Sequence, residues 1–253
     1  MSGRLQPGVD GRPSSNMKRT SLLAVVTVLL LAGSYPATLR GAEEGVALAI
    51  IYDTSGSMRD PVADASGKPS PKYVIANRAL LAVTRQLEAF ATNAAAGTAR
   101  KIHAGLFIFQ GEHAREIVKL GPLDATSLER WAGRFSSPNG NTPLGNALDA
   151  AAQAVLRSPL SRKHVLIITD GMNTVGPTPR VVLPRLQRQA EQAGTALSVH
   201  FVAFDVDARQ FAPLKSLGAT VVGASDEKQL NSQLQFILQK KILLEDEEPP
   251  KTH

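Results

Sequence analysis

Two aspartates and three hydroxyl residues stand out by type and by spacing. Asp53, Ser55 and Ser57 alternate along the stretch Asp53-Thr54-Ser55-Gly56-Ser57. Thr142 lies in Gly140-Asn141-Thr142-Pro143-Leu144-Gly145, and Asp170 in Thr169-Asp170-Gly171. The alternation lets three side chains turn toward one centre, and Gly56 frees the backbone at the tight turn. All five side chains are hard oxygen donors, which suit Mg²⁺, Mn²⁺ or Ca²⁺ and not zinc or copper. Taken singly, each has a plainer reading: Asp53 as a helix cap, Ser57 as a turn hydroxyl, Asp170-Gly171 as a turn. Taken together and in order, they point to one divalent-cation site.

The familiar catalytic constellations are missing. A dehalogenase-like phosphatase needs a second Asp two residues after the strand-end Asp, and Ser55 stands there. A receiver domain needs an acidic pair before its phosphorylated strand, and none is evident. There is no Gly-x-Ser-x-Gly elbow and no His-Glu-x-x-His, and Gly67-Lys68 lacks the Walker spacing. No general base stands beside a nucleophile. The expectation is a binding protein and not an enzyme.

The candidate ligands sit at the ends of patterned elements. Val46–Tyr52 reads as a strand that runs into Asp53. A polar loop follows over Arg59–Pro71, then a helix over Lys72–Ala95 with Val74, Leu80, Leu81, Leu87 and Phe90 at helical spacing. Strands are expected over Ile102–Phe109 and Glu116–Leu120, and a short helix over Asp124–Phe135, capped by Asp124 or Thr126. An alanine-rich helix spans Leu144–Leu156. His164–Thr169 is a branched, aliphatic run that suits a strand buried on both faces. Helices are expected over Arg180–Ala193, Arg209–Leu217 and Asp226–Leu244, the last capped by Ser225 or Asp226. Leu197–Phe204 and Ala219–Val222 complete the strands. Strands joined by crossover helices imply a doubly wound, mostly parallel α/β sheet with helices on both faces. Ligand sites in such sheets gather beyond the carboxyl ends of the strands.

At this point the chain resembles a von Willebrand factor A domain. Asp53-x-Ser55-x-Ser57, then Thr142, then Asp170 with Gly171 behind it, match the five positions of that family's metal-ion-dependent adhesion site (MIDAS). Ile51-Tyr52-Asp53-Thr54-Ser55-Gly56-Ser57-Met58, Asn141-Thr142-Pro143-Leu144-Gly145-Asn146-Ala147-Leu148 and Ile167-Ile168-Thr169-Asp170-Gly171 look like bacterial members. The likeness runs from about residue 45 to 240, with a longer loop at Arg59–Pro71. It implies a Rossmann-like fold and a metal held by Ser55, Ser57 and Thr142 directly, and by Asp53 and Asp170 directly or through water. The expected ion is Mg²⁺ in the first place, with Mn²⁺ or Ca²⁺ as alternatives that oxygen donors accept. The expected partner is a protein or peptide whose Asp or Glu fills an open position on the metal. In some members such coupling shifts the last helix, whose counterpart would be Asp226–Leu244.

Composition limits the remaining classes. The chain has 253 residues, 43% hydrophobic and 20% charged, enough for one α/β domain with extensions. Net charge is +6, but the first 42 residues hold five basic residues (Arg4, Arg12, Lys18, Arg19, Arg40) against one acid, Asp10. The body is near neutral and has no basic run interleaved with aromatics, so nucleic acid is not an expected partner. With no cysteine, disulfides, thiolate metal sites and thiol catalysis drop out. The histidines (103, 113, 164, 200, 253) have no metal-ligand spacing. His103 and His200 read as core groups, Trp131 with Phe135 as packing, and Arg180, Arg185 and Arg188 as a solvated face.

Lys18-Arg19, the apolar run Leu22–Ala32 and the small residues that follow have the layout of a secretory signal peptide. The start is Met1 or Met17, and cleavage falls after Ser34 or Ala37. Residues 1–42 are therefore expected as a disordered N-terminus and leader, 43–244 as the domain, and 245–253 as an acidic, proline-bearing tail. Localisation is then exported, periplasmic or extracellular. The alternative is an uncleaved anchor at residues 20–39, uncharged and just long enough to span a bilayer. That would make the protein a membrane-anchored assembly component of the cell envelope with a stabilising metal.

Overall fold

The computed structural model describes residues 42–92 and 100–244. The expected leader and tail lie outside these residues, as do the last residues of the helix expected over Lys72–Ala95. In chain order the elements are β1 (Glu43–Tyr52), β2 (Pro61–Ala63), β3 (Pro69–Pro71), α1 (Lys72–Thr92), β4 (Ile102–Gln110), β5 (His113–Pro122) and α2 (Ala125–Ala132). There follow α3 (Leu144–Arg157), β6 (Leu160–Thr169), α4 (Pro179–Gln192), β7 (Leu197–Phe204), α5 (Ala212–Lys215), β8 (Thr220–Ala224) and α6 (Glu227–Ile237).

Continuous apolar runs in β1, β6 and β7 call for burial on both faces, and the sheet supplies it. Strand order is β5-β4-β1-β6-β7-β8. All neighbours are parallel except β5, which runs antiparallel to β4 at one edge. Alternate residues then serve opposite layers. Val46, Leu48, Ile50 and Tyr52 of β1 pack with Ile75, Leu80 and Leu87 of α1 and Leu230 and Leu234 of α6. Ala47, Ala49 and Ile51 face Leu148, Ala151 and Val155 of α3 and Leu183 and Leu186 of α4. The small alanines of α3 and of β1 meet on this second face, where α3 lies over β1.

The doubly wound order places the switch point. From β1 the chain crosses through α1 to β4 on one side. From β6 it crosses through α4 to β7 on the other. The carboxyl ends of β1 and β6 therefore border the crevice where open α/β sheets bind ligands.

Local chemistry explains the departures from the expected elements. The polar stretch Arg59–Pro71 holds a 3-10 turn, Gly56–Arg59, and the antiparallel pair β2–β3, with Val62 opposite Ser70. Its turn is tied by the Asp64 carboxylate, which accepts from the backbone N–H of Ser66 (2.8 Å) and Lys68 (3.0 Å). Three prolines confine such a ribbon to an isolated pair. The helix expected over Asp226–Leu244 is α-helical to Ile237 and continues as a π-helical turn, Leu238–Leu243. Asp226 caps it by accepting from Gln229 N–H (2.8 Å). Arg209–Leu217 divides into a 3-10 turn, Ala208–Phe211, and the single turn α5. Among the described residues no helix is long and apolar enough to cross a membrane.

His164 and His200 stack in the core with ring centroids 5.6 Å apart, Nδ1 of the first lying 3.3 Å from Nε2 of the second. Burial, then His200 and Arg162, push His164 down to about 3. Burial, then Lys241, pushes His200 down to about 4. Both are neutral in the folded protein, whereas an unfolded histidine titrates near 6.5. Below that value the unfolded chain binds more protons, so stability falls as pH falls toward 4. From pH 7 to about pH 4.5 the loss from His200 alone should reach about 2 kcal/mol. Thermal melts across this range should show a shallower acid decline for His200→Leu than for the native chain, and parallel curves would refute the assignment.

Candidate metal centre

Parallel pairing of the central strands brings the two carboxylates together. Tyr52 is in register with Ile168, and Asp53 N–H donates to the Ile168 carbonyl (3.1 Å). Asp53 and Asp170 thus leave neighbouring strands at the same level. Both are buried. Asp53 Oδ1 accepts from Ser55 N–H (2.7 Å), and Oδ2 accepts from the Thr169 hydroxyl (2.7 Å). Ser57 Oγ donates to Asp170 Oδ1 (2.8 Å) and lies 3.1 Å from Ser55 Oγ. Four of the five expected residues are thereby linked into one cluster.

Thr142 reaches the cluster from a third loop. That loop is pinned to the first by Gly56 N–H donating to Gly140 O (3.2 Å) and Asn139 N–H donating to Thr54 O (2.7 Å). Gly140 has φ +84°, a left-handed conformation that favours glycine. Thr142 and Thr174 bind each other: Thr142 N–H donates to the Thr174 hydroxyl (2.8 Å), and Thr174 N–H to the Thr142 carbonyl (3.0 Å). The Thr142 hydroxyl is buried beside Gly171 and is not hydrogen-bonded to the other four residues. Gly145, at the start of α3, admits the backbone of Pro177; a β-carbon there would lie 1.9 Å from the Pro177 carbonyl oxygen.

Negative charge accumulates in the cluster. Burial first, and then the Asp170 carboxylate, push the Asp53 carboxyl up to about 6. Among the described residues no group of three or more His, Cys, Asp or Glu side chains is placed to hold a metal. A cation here would therefore rest on two carboxylates and neighbouring hydroxyls.

Two further residues belong to the site, and neither belongs to the motif. Lys72, the first residue of α1, places its Nζ 3.1 Å from Asp170 Oδ2 and 3.0 Å from Asp205 Oδ2. Burial lowers the Lys72 ammonium, but Asp205 and Asp170 outweigh it and hold its pKa above the ordinary value. Asp205, just past β7, has φ +53°, the one positive value among the described non-glycine residues. The only trace of Lys72 in the sequence is a cation at the positive end of a helix dipole, an unfavourable place without a counter-charge. Met172, one residue beyond Gly171, is exposed.

No family model matches the sequence, and no curated protein matches it. Solved structures match in shape. The D319A mutant of the PilB minor pilin from Streptococcus sanguinis aligns with TM-score 0.57 at 16% identity, over 77% of this chain and 61% of that one. Proximal thread matrix protein 1 from the mussel byssus, with a zinc-occupied MIDAS motif, gives 0.55 at 11% identity, over 78% and 48%. The vWF domain of the type V pili tip protein Mfa5 from Porphyromonas gingivalis gives 0.53 at 12%, over 78% and 95%. The chain spans 61% of the pilin and 48% of the byssal protein. Sequence identity this low speaks to the fold alone: a doubly wound, Rossmann-like α/β sheet of the kind seen in the vWF domain of Mfa5.

Gly145→Ala should force α3 and the Pro177 loop apart, with a loss of about 1–3 kcal/mol typical of overpacking. Urea unfolding measures it, and an unchanged midpoint would show that the Thr142 loop does not depend on this contact.

Proposed function

We propose that this protein is a divalent-metal-dependent protein-binding module, exported from the cell, and that it works by binding and not by catalysis. The observation that carries the reading is the cluster at the β1–β6 crevice: two buried carboxylates from adjacent strand ends, linked through Ser55 and Ser57, with Thr142 alongside. Burial, and after it the neighbouring Asp170 carboxylate, raises the Asp53 carboxyl, and a cation at the cluster would favour its ionised form. The donors are hard oxygens, so the residues fit Mg²⁺ first, and Mn²⁺ or Ca²⁺ as well. Ser55, Ser57 and Thr142 would coordinate the ion, with Asp53 and Asp170 holding it directly or through water.

Bound there, the metal would supply Lewis acidity toward an oxygen ligand. Three neutral hydroxyls among the donors add no charge beyond that of Asp53 and Asp170, so the ion keeps an affinity for a further anionic oxygen ligand. An Asp or Glu side chain of a partner protein or peptide is the ligand such an ion attracts. Pilus and byssus proteins among the structural neighbours support an adhesive role outside the cytoplasm, and the signal-peptide layout of the leader agrees with export.

Titration calorimetry with Mg²⁺ and then Mn²⁺ tests the reading. One site is expected in the native protein and none in Asp53→Ala. Partner capture should be lost on chelation and in the Ser55→Ala/Ser57→Ala double variant while its melting temperature stays within a few degrees of native. Binding that persists in Asp53→Ala, or capture indifferent to chelator, would sink the proposal.

A further inference from the structure

Lys72 sets a fixed positive charge against the cluster, at a place where a metal site would be expected to gather only negative charge. Its Nζ lies 3.1 Å from Asp170 Oδ2, while Ser57 occupies Oδ1 of the same carboxylate. Its other partner, Asp205, lies 3.0 Å away on the solvent side, with a side chain 41% exposed against 6% for Lys72. The position is built and not incidental. The β2–β3 ribbon delivers the chain directly into Lys72, whose N–H donates to Asp60 O (3.0 Å). Asp205 holds a left-handed backbone conformation to meet it. An ammonium buried between two carboxylates from different elements is an arrangement that a solvated surface lysine does not need.

We infer that Lys72 is the residue that sets the metal affinity of this site: its charge weakens the hold on the cation alone and favours the cation together with a partner carboxylate. The inference rests on the metal reading above. With Asp53 and Asp170 as its only buried carboxylates, a bound dication is already balanced. The Lys72 charge adds one positive unit, which the exposed Asp205 offsets only in part because solvent screens it. The metal-loaded site is then net positive and draws an incoming carboxylate. In the metal-free site the same ammonium steadies Asp170.

Calorimetric titration of Mn²⁺ alone into the full chain, with Lys72→Met, Lys72→Arg and Asp205→Asn beside it, tests this. Lys72→Met should bind Mn²⁺ about tenfold more tightly or better, a shift in keeping with one unit charge removed next to a dication. Lys72→Arg should bind like the native chain. Asp205→Asn, whose side chain is part-exposed and tolerant, should bind several-fold more weakly, because it leaves Lys72 less compensated. The inference is overturned if Lys72→Met binds as the native chain does or more weakly, since Lys72 would then only position Asp170. If Lys72→Met does not fold, an unchanged affinity in Asp205→Asn overturns it and a weakened one supports it. Absence of Mn²⁺ binding in every form would overturn the metal reading and this inference with it. A native site with equal affinity in all variants would leave the metal reading standing and remove only the role of Lys72.

Discussion

The register between β1 and β6 places Tyr52 opposite Ile168, and the Asp53 N–H to Ile168 carbonyl bond extends that register one residue beyond the strand. Everything at the site hangs from this pairing. A slip of one residue would turn each side chain to the opposite face. It would separate Asp53 from Thr169 and Asp170 while exchanging the two core layers, so burial of some dozen aliphatic side chains enforces the alignment of two aspartates. The hydrophobic effect is non-directional, yet alternation along a strand converts it into a positional constraint on polar groups at the strand end.

The loops add reach without adding charge. Ser55 and Ser57 lie within hydrogen-bonding distance of each other, and Ser57 carries the link to Asp170. The Thr142 loop is held by backbone bonds to Gly56 and Thr54 and by its exchange with Thr174. Each neutral contact is worth about 0.5–1.5 kcal/mol net and the bond to the Asp170 carboxylate somewhat more, and together they hold three loops that solvent would otherwise loosen. Neutral oxygens arranged this way complement two carboxylates without the mutual repulsion that further acids would bring.

Much of this was legible in the chain. The strand Leu197–Phe204 has the bounds its apolar run suggests, and Asp124 and Asp226 cap the helices they precede. Such features depend on neighbours a few residues apart, where periodicity and capping act. Asp53, Ser55, Ser57 and Asp170 were recoverable because their types and the strands before them point to one corner. What escaped was set by distance in sequence. The β2–β3 ribbon depends on an Asp64 turn inside a stretch whose composition reads as loop. Lys72 opens an ordinary amphipathic helix, and its partners stand 98 and 133 positions further along. Only the fold brings them within reach.

Lys72 also explains how α1 begins where it does. A helix N-terminus carries partial positive charge, and a lysine there is repelled by it. Asp170 and Asp205 supply more negative charge than the helix end supplies positive, so the first residue of α1 is attracted to the crevice despite the dipole. The helix start, the end of β6 and the turn after β7 are thereby fastened to one ammonium. Glu227, at the start of α6, fastens the neighbouring region in the same manner: it accepts from Arg78 of α1 through both oxygens (2.7 Å each) and from Ala65 N–H of the β2–β3 turn (2.8 Å). The edge of the crevice is therefore a pair of charge-centred joints on one helix, Lys72 at its first residue and Arg78 nearly two turns later. α1 thus carries one joint toward the crevice and one toward α6.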